Sequence, residues 1–176
     1  IEPKASTHAR AMKAWMYVAD ASGVTDGWDE MAAFTIGAEG LNISLRPSAA
    51  VAAVGETIAL TGNCWAPGGP ASTTTYLIIN TTRTGADGVY LYYEGSNNLL
   101  YLRNDANSSW LGGFAPGSVH TISNGLVTLD CAGSSVDVAG DQIEVRWSLR
   151  FNGNAAGRSM TAWMYTLDTA GQSDGW

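Results

Sequence analysis

The chain has 176 residues, of which 45% are hydrophobic, so it is long enough to bury a core of domain size. Only 14% of the residues are charged, and 16 acidic residues against 9 basic ones give a net charge of −7. This acidic balance disfavours binding to nucleic acid or to anionic membrane surfaces. The sequence contains no apolar run of about 18 residues, so we expect no direct membrane insertion.

A 15-residue sequence occurs twice in the chain. Residues 14–28 read AWMYVADASGVTDGW and residues 162–176 read AWMYTLDTAGQSDGW, with 9 of the 15 positions identical at an offset of 148. Upstream, Arg10 matches Arg158 and Met12 matches Met160 at the same offset. Tryptophan is a rare residue, and two tryptophans that recur in register predict tandem copies of a domain with a period of 148 residues.

The first copy of this sequence has two possible secondary structures. Ala5–Ala19 is rich in helix formers, and Ser6 or Thr7 could cap a helix there. The second copy contains Gly157 and follows a segment in which apolar and polar residues alternate, which indicates a strand. Because two copies of one domain should share a fold, we predict a strand over Ala14–Ala19.

The repeat also places a domain boundary. Residues 1–40 match the C-terminal part of one copy, and residues 41–176 form a second copy that lacks its own final strand. The candidate final strand is Asp29–Ile36, whose apolar residues make it a possible assembly strand. This strand could complete the second copy within the same chain or in a neighbouring chain, and a truncated piece of a longer array is the third possibility. Its candidate assembly residues are Met31, Ala33, Phe34 and Ile36.

Between these copies, short segments rich in β-branched and aromatic residues alternate with turn-forming Gly, Asn, Asp, Ser and Pro. This pattern predicts an all-β protein, an antiparallel β-sandwich. The predicted strands are Ile43–Leu45, Thr57–Gly62, Thr75–Asn80, Val89–Tyr93, Leu99–Arg103, Leu126–Leu129, Gln142–Phe151 and Thr161–Leu167.

The chain has two cysteines, Cys64 and Cys131, each beside strand-like sequence. Few lysines and many Thr, Asn and Gly residues are typical of secreted bacterial proteins, and in such a chain a disulfide between two cysteines is the default expectation. The alternative is a pair of buried free thiols.

Tyrosines are concentrated on one predicted hairpin, which carries Tyr90, Tyr92, Tyr93 and Tyr101. Because adjacent strand residues face opposite sides, Tyr90 and Tyr92 share one face, whereas Tyr93 belongs to the other. Exposed aromatic rings can stack on sugar rings or form a subunit contact, so extracellular glycans and neighbouring repeats are the two expected partners.

Each copy of the repeated sequence carries two aspartates. Asp20 and Asp26 in the first copy, and Asp168 and Asp174 in the second, could supply oxygen ligands to calcium. The alternative is that these aspartates form turns, which is a frequent role for Asp beside Gly. We expect no other cofactor.

No catalytic constellation is evident in the sequence. The two histidines are isolated, and no nucleophile-elbow or phosphate-loop motif is present. Glu94 and Glu144 could be imagined as a glycosidase pair, but nothing in the sequence brings them together. We therefore expect a protein that is not an enzyme.

Several short sequences in the second half of the chain carry a resemblance to a known family. They are residues 78–80, 89–93, 100–105, 110–112, 116–118 and 129–131 and the Met-Tyr…Gly-Trp ending. In these residues the chain resembles an uncharacterised immunoglobulin-like repeat domain that recurs in large secreted or cell-surface proteins of bacteria. The resemblance covers Val54–Trp176 and implies an extracellular immunoglobulin-like β-sandwich, a structural or adhesive repeat such as a stalk or filament subunit, with no catalytic residues to carry over.

Overall fold

The computed structural model describes residues 10–36, 42–66 and 73–176, and almost all regular structure in these ranges is β-strand. The chain divides into two compact units, a hairpin unit (Ile1–Gly40) and a sandwich unit (Leu41–Trp176). The linker expected between the two units lies outside the described residues.

The hairpin unit contains two antiparallel strands, β1 (Arg10–Ala19) and β2 (Thr25–Ile36). They pair from Arg10↔Ile36 to Ala19↔Thr25. The strand predicted over Ala14–Ala19 is therefore confirmed, and the helical alternative is wrong. Helix propensity is a weak preference that pairing with a second strand overrides.

In the sandwich unit, two antiparallel sheets pack against each other. The first sheet has five strands in the order β3-β4-β11-β10-β9 and the second has six in the order β13-β12-β5-β6-β7-β8. A 3₁₀ turn (Gly153–Ala155) lies between β11 and β12. The strands are β3 (Asn42–Arg46), β4 (Thr57–Trp65), β5 (Thr74–Asn80), β6 (Val89–Glu94), β7 (Leu99–Arg103), β8 (Trp110–Phe114), β9 (Thr121–Ser123), β10 (Val127–Ala139), β11 (Gln142–Phe151), β12 (Thr161–Leu167) and β13 (Ser173–Asp174).

All eight strands predicted between the two copies are present, and β7, β11 and β12 have the predicted bounds. The sequence missed β8, whose sequence WLGGF contains two glycines, and the three-residue β9. It also missed the second half of β10, which follows a register shift between Asp130 and Ser135. Glycines and bulges interrupt the alternation from which strands are read.

The core lies between the two sheets. In β11 the alternating sequence puts Ile143, Val145 and Trp147 inside with at most 1% of each side chain exposed. Leu77, Leu91 and Leu102 on the facing sheet are fully buried and complete the same core. The apolar residues of both sheets thus form a single cluster, and each sheet has one outer face.

The expected disulfide is absent, because Cys64 and Cys131 are both free and buried. β4 and β10 lie on opposite sides of β11, which separates them by about 10 Å across the sheet. Along β11, Cys64 lies opposite Ile143, whereas Cys131 lies in the bulge beside Ser148, which adds about 17 Å. A disulfide requires Cα atoms within about 7 Å. Burial raises the pKa of both thiols.

Candidate functional site

The two copies of the repeated sequence form the same local structure. In the hairpin unit, Ala19 of β1 pairs with Thr25 of β2. In the sandwich unit, Leu167 of β12 pairs with Ser173 of β13, and these residues are the same positions at an offset of 148. The duplicated sequence therefore forms a hairpin turn closed by the same residue pair in both copies.

An aspartate stabilises each of the two turns. Asp20 Oδ1 accepts hydrogen bonds from the N–H groups of Ser22 and Val24, both at 2.9 Å. Asp168 Oδ1 accepts from the N–H groups of Ala170 at 2.9 Å and Gln172 at 2.8 Å. A glycine with positive φ completes each turn: the φ angles are 83° and 79° at positions 23 and 171.

These hydrogen bonds favour the turn over calcium for Asp20 and Asp168. The hydroxyl of Ser22 and the N–H groups of the turn lower the pKa of Asp20. The carboxylate of Asp174 instead accepts a hydrogen bond from the N–H of Ile43 at 3.1 Å, which joins β13 to β3. The side chain of Asp26 lies outside the described part. Elsewhere in that part, no group of three His, Cys, Asp or Glu side chains converges as a metal site requires.

The methionine of the repeated sequence has a different environment in each copy. Met164 of β12 is 7% exposed and packs in the core, whereas Met16 of β1 is 50% exposed. Met164 fits because position 62 is glycine: a Cβ there would lie 2.7 Å from Met164 Cε and 2.9 Å from the Trp147 ring. The absence of a side chain at Gly62 therefore leaves space for Met164 in the core, whereas the equivalent Met16 of the hairpin unit is at the surface.

The four edges of the sandwich differ in how well they are protected. β9 has three residues, and β8 is distorted by Gly112 and Gly113, whose φ angles are 103° and 88°. β3 runs into Pro47 and is tied to β13. Among the described residues, β12 pairs with β5 along its whole length and with β13 only at Thr166 and Leu167.

The outer face of the six-stranded sheet carries a row of aromatic rings, one from each of four adjacent strands and one from the C-terminal residue. The distances between successive ring centroids are 5.2, 5.8, 5.1 and 5.0 Å. We call this the aromatic row, and its members in order are Trp176, Tyr165, Tyr76, Tyr92 and Tyr101.

Two further rings flank the aromatic row. Tyr90 lies 5.0 Å from Trp110 and 6.1 Å from Trp176. Trp110 also lies 5.1 Å from Tyr92 and carries the Arg103 guanidinium 4.4 Å from its ring centroid. Of the four tyrosines selected from the sequence, three therefore belong to this face.

The fourth tyrosine, Tyr93, is 3% exposed and lies in the core, as the alternation of β6 requires. The sequence missed Tyr76, Tyr165, Trp110 and Trp176 as members of the outer aromatic face. They come from strands far apart in the chain, and only the strand order brings them together.

Glu94 and Glu144 do not form a catalytic pair. Glu94 ends β6 on the aromatic outer face, and its carboxylate accepts a hydrogen bond from the Tyr101 hydroxyl at 3.2 Å. Glu144 is exposed on β11, on the outer face of the other sheet. Because two packed sheets lie about 10 Å apart, carboxylates on opposite outer faces cannot share a substrate bond.

Within the described ranges, no helix has both the length and the apolar character needed to cross a membrane. Comparisons of the chain with models of protein families, with curated proteins and with solved structures find no match.

Proposed function

We propose that the chain is a non-catalytic structural module of a secreted or cell-surface protein, a stalk or filament subunit that assembles by strand pairing. In this proposal the sandwich is an immunoglobulin-like repeat with a period of 148 residues. The observation that carries it is the edge of β12, which no described strand pairs between Thr161 and Tyr165, whereas the matching segment of β1 pairs with β2.

The open edges of β12 and β2 are suited to each other. Edge strands that must stay unpaired usually contain lysine, proline or a bulge. Neither β12 (TAWMYTL) nor β2 (TDGWDEMAAFTI) contains lysine or proline, but the pairing of β2 with β1 shifts register at Met31. Of the three other sandwich edges, β9 is short, β8 is distorted by glycine, and β3 is joined to β13 by a hydrogen bond. In this proposal an added strand therefore pairs with β12 and not with the other three edges.

The donor in this proposal is Asp29–Ile36 of a second copy of the chain. β2 pairs with β1 through one side, and its other side has no partner among the described residues. The hairpin can thus add to β12 of a neighbour without losing its own pairing. The side chains of the candidate assembly residues Met31, Ala33, Phe34 and Ile36 lie outside the described part, so the proposal rests on the backbone.

Sedimentation velocity over a concentration series tests the assembly. We expect the intact protein to form species larger than a monomer and the variant lacking Asp29–Ile36 to remain monomeric. A deletion variant that assembles like the intact protein would exclude this strand as the donor.

A substitution that leaves the hairpin intact makes the test sharper. Ala162 is exposed, but it lies on the same side of β12 as the buried Met164. Ala162→Lys places a charge where an added strand would cover it, and we expect it to abolish assembly. Thr121→Lys on the short edge strand β9 is the matched control and should leave assembly unchanged. Equal effects of the two lysines would contradict assembly through β12.

A further inference from the structure

The two outer faces of the sandwich differ in chemistry. On the five-stranded sheet, most outward positions of β4 and β11 are polar, as in Thr61, Asn63 and Glu144, and Trp65 is an aromatic exception. On the six-stranded sheet, the same kind of outward position carries the aromatic row and its flanking rings. Contact with water does not account for this contrast, because an aromatic surface is costly to hydrate.

The rings of the aromatic row leave part of their faces open. Tyr92 lies nearly parallel to Tyr76 (12°) and Tyr101 (19°), with centroids 5.1 and 5.0 Å apart. Parallel rings in direct contact have their planes about 3.5–4 Å apart, so these rings are displaced sideways like overlapping tiles. The rings of Tyr76, Tyr92 and Tyr101 are therefore only partly covered by each other, which agrees with their partial burial.

The charged side chains on this face are already engaged. The Glu94 carboxylate accepts a hydrogen bond from Tyr101, and Arg103 stacks on Trp110. Burial, with the charge of Glu94 as a smaller cause, raises the pKa of Tyr92 to about 12, so its hydroxyl stays neutral at physiological pH. Thus the face offers rings and neutral hydroxyls, and the charges of Glu94 and Arg103 on it are opposite in sign.

We propose that the aromatic row is a binding site for a linear, neutral polysaccharide, which lies across the strands along the row. Pyranose rings carry apolar C–H faces that stack on aromatic rings, while their hydroxyl groups pair with tyrosine hydroxyls. The spacing of 5.0–5.8 Å along the row is close to the length of one sugar residue in an extended β-linked chain. A linear row of rings matches an extended polysaccharide better than it matches a protein interface, in which central residues are surrounded by a rim of other contacts.

The test is isothermal titration of the full chain with cellohexaose and affinity electrophoresis in gels that contain hydroxyethyl cellulose, galactomannan or polygalacturonate. We expect binding to at least one neutral polymer and none to the anionic polygalacturonate. Failure to bind either neutral polymer, or binding to polygalacturonate alone, would overturn the proposal.

Three variants locate the site. Tyr92→Ala should weaken binding about tenfold or more, and Tyr92→Phe, which keeps the ring, should retain most of it. Trp65→Ala removes an aromatic side chain from the opposite outer face and should bind as the intact protein does. Circular dichroism melting checks that each variant is folded.

An equal loss in Tyr92→Ala and Trp65→Ala would exclude the row as the site. Loss of self-association in Tyr92→Ala, with no polysaccharide bound by the intact protein, would instead make the face a protein interface and overturn the proposal. The β12 edge variants leave the row intact, so failure of strand-mediated assembly does not decide this test.

Discussion

The hairpins β1–β2 and β12–β13 share 9 of the 15 positions of the repeated sequence and make the same turn, but among the described residues only the second is part of a sandwich. Met164 is 7% exposed and Met16 is 50% exposed, and Trp15 is 51% exposed. In the second hairpin, Gly62 and Trp147 provide the site that the methionine fills. The repeated sequence therefore specifies the hairpin turn, whereas a facing sheet decides whether one side of the hairpin is buried.

The largest effect that we expect from this comparison concerns the two methionines. Met164→Ala removes a buried side chain and should lower the free energy of unfolding by about 2–5 kcal/mol. Met16→Ala, at an exposed position, should change it by less than about 0.5 kcal/mol. Urea unfolding followed by the fluorescence of buried Trp147 measures both values. Equal losses would mean that the two methionines have equivalent environments.

Alanine substitutions at the two turn glycines should again affect the stability of the sandwich unit more in the second hairpin than in the first. The expected difference is smaller than that between the two methionine substitutions. Gly171 and Gly23 both have a positive φ, which costs an alanine about 1–2 kcal/mol. We expect Gly171→Ala to lower the unfolding midpoint of the sandwich and Gly23→Ala to leave that midpoint unchanged. A shift of the midpoint by Gly23→Ala would show that the hairpin unit unfolds together with the sandwich.

The smallest effect is a pH dependence of the first turn. The Ser22 hydroxyl lowers the pKa of Asp20 from its ordinary 3.8, because it hydrogen bonds the charged carboxylate. The stabilisation is therefore complete above pH 3.8 and is lost as the pH falls through the lower pKa of the folded hairpin. An NMR titration should place the Asp20 carboxyl below 3.8, and Ser22→Ala should raise its pKa. A Ser22→Ala titration identical to that of the intact protein would contradict this role of the hydroxyl.

Alternation of apolar and polar residues carried most of the fold prediction. It predicted both ends of β11, and it placed Tyr90 and Tyr92 on the face opposite Tyr93. The repeat corrected the helix expected at the start of the chain, because the second copy had the clearer pattern. Prediction failed where a local signal was missing, as in the glycine-rich β8.

The candidate sites were less predictable than the strands. The disulfide expectation failed because sequence separation does not reveal that β11 lies between Cys64 and Cys131. The same limit hid Tyr76 and Tyr165 from the aromatic face. For the aspartates, the sequence left calcium and turns as alternatives, and the hydrogen bonds of Asp20 and Asp168 favour the turns.

The sequence by itself determined the all-β class, most strands and the duplicated hairpin, because these depend on residue order over a few positions. Only the tertiary structure decided which strands are neighbours, and with that the aromatic row and the free thiols. These features depend on contacts between segments far apart in the chain. The spacing of residues along the chain does not encode them directly.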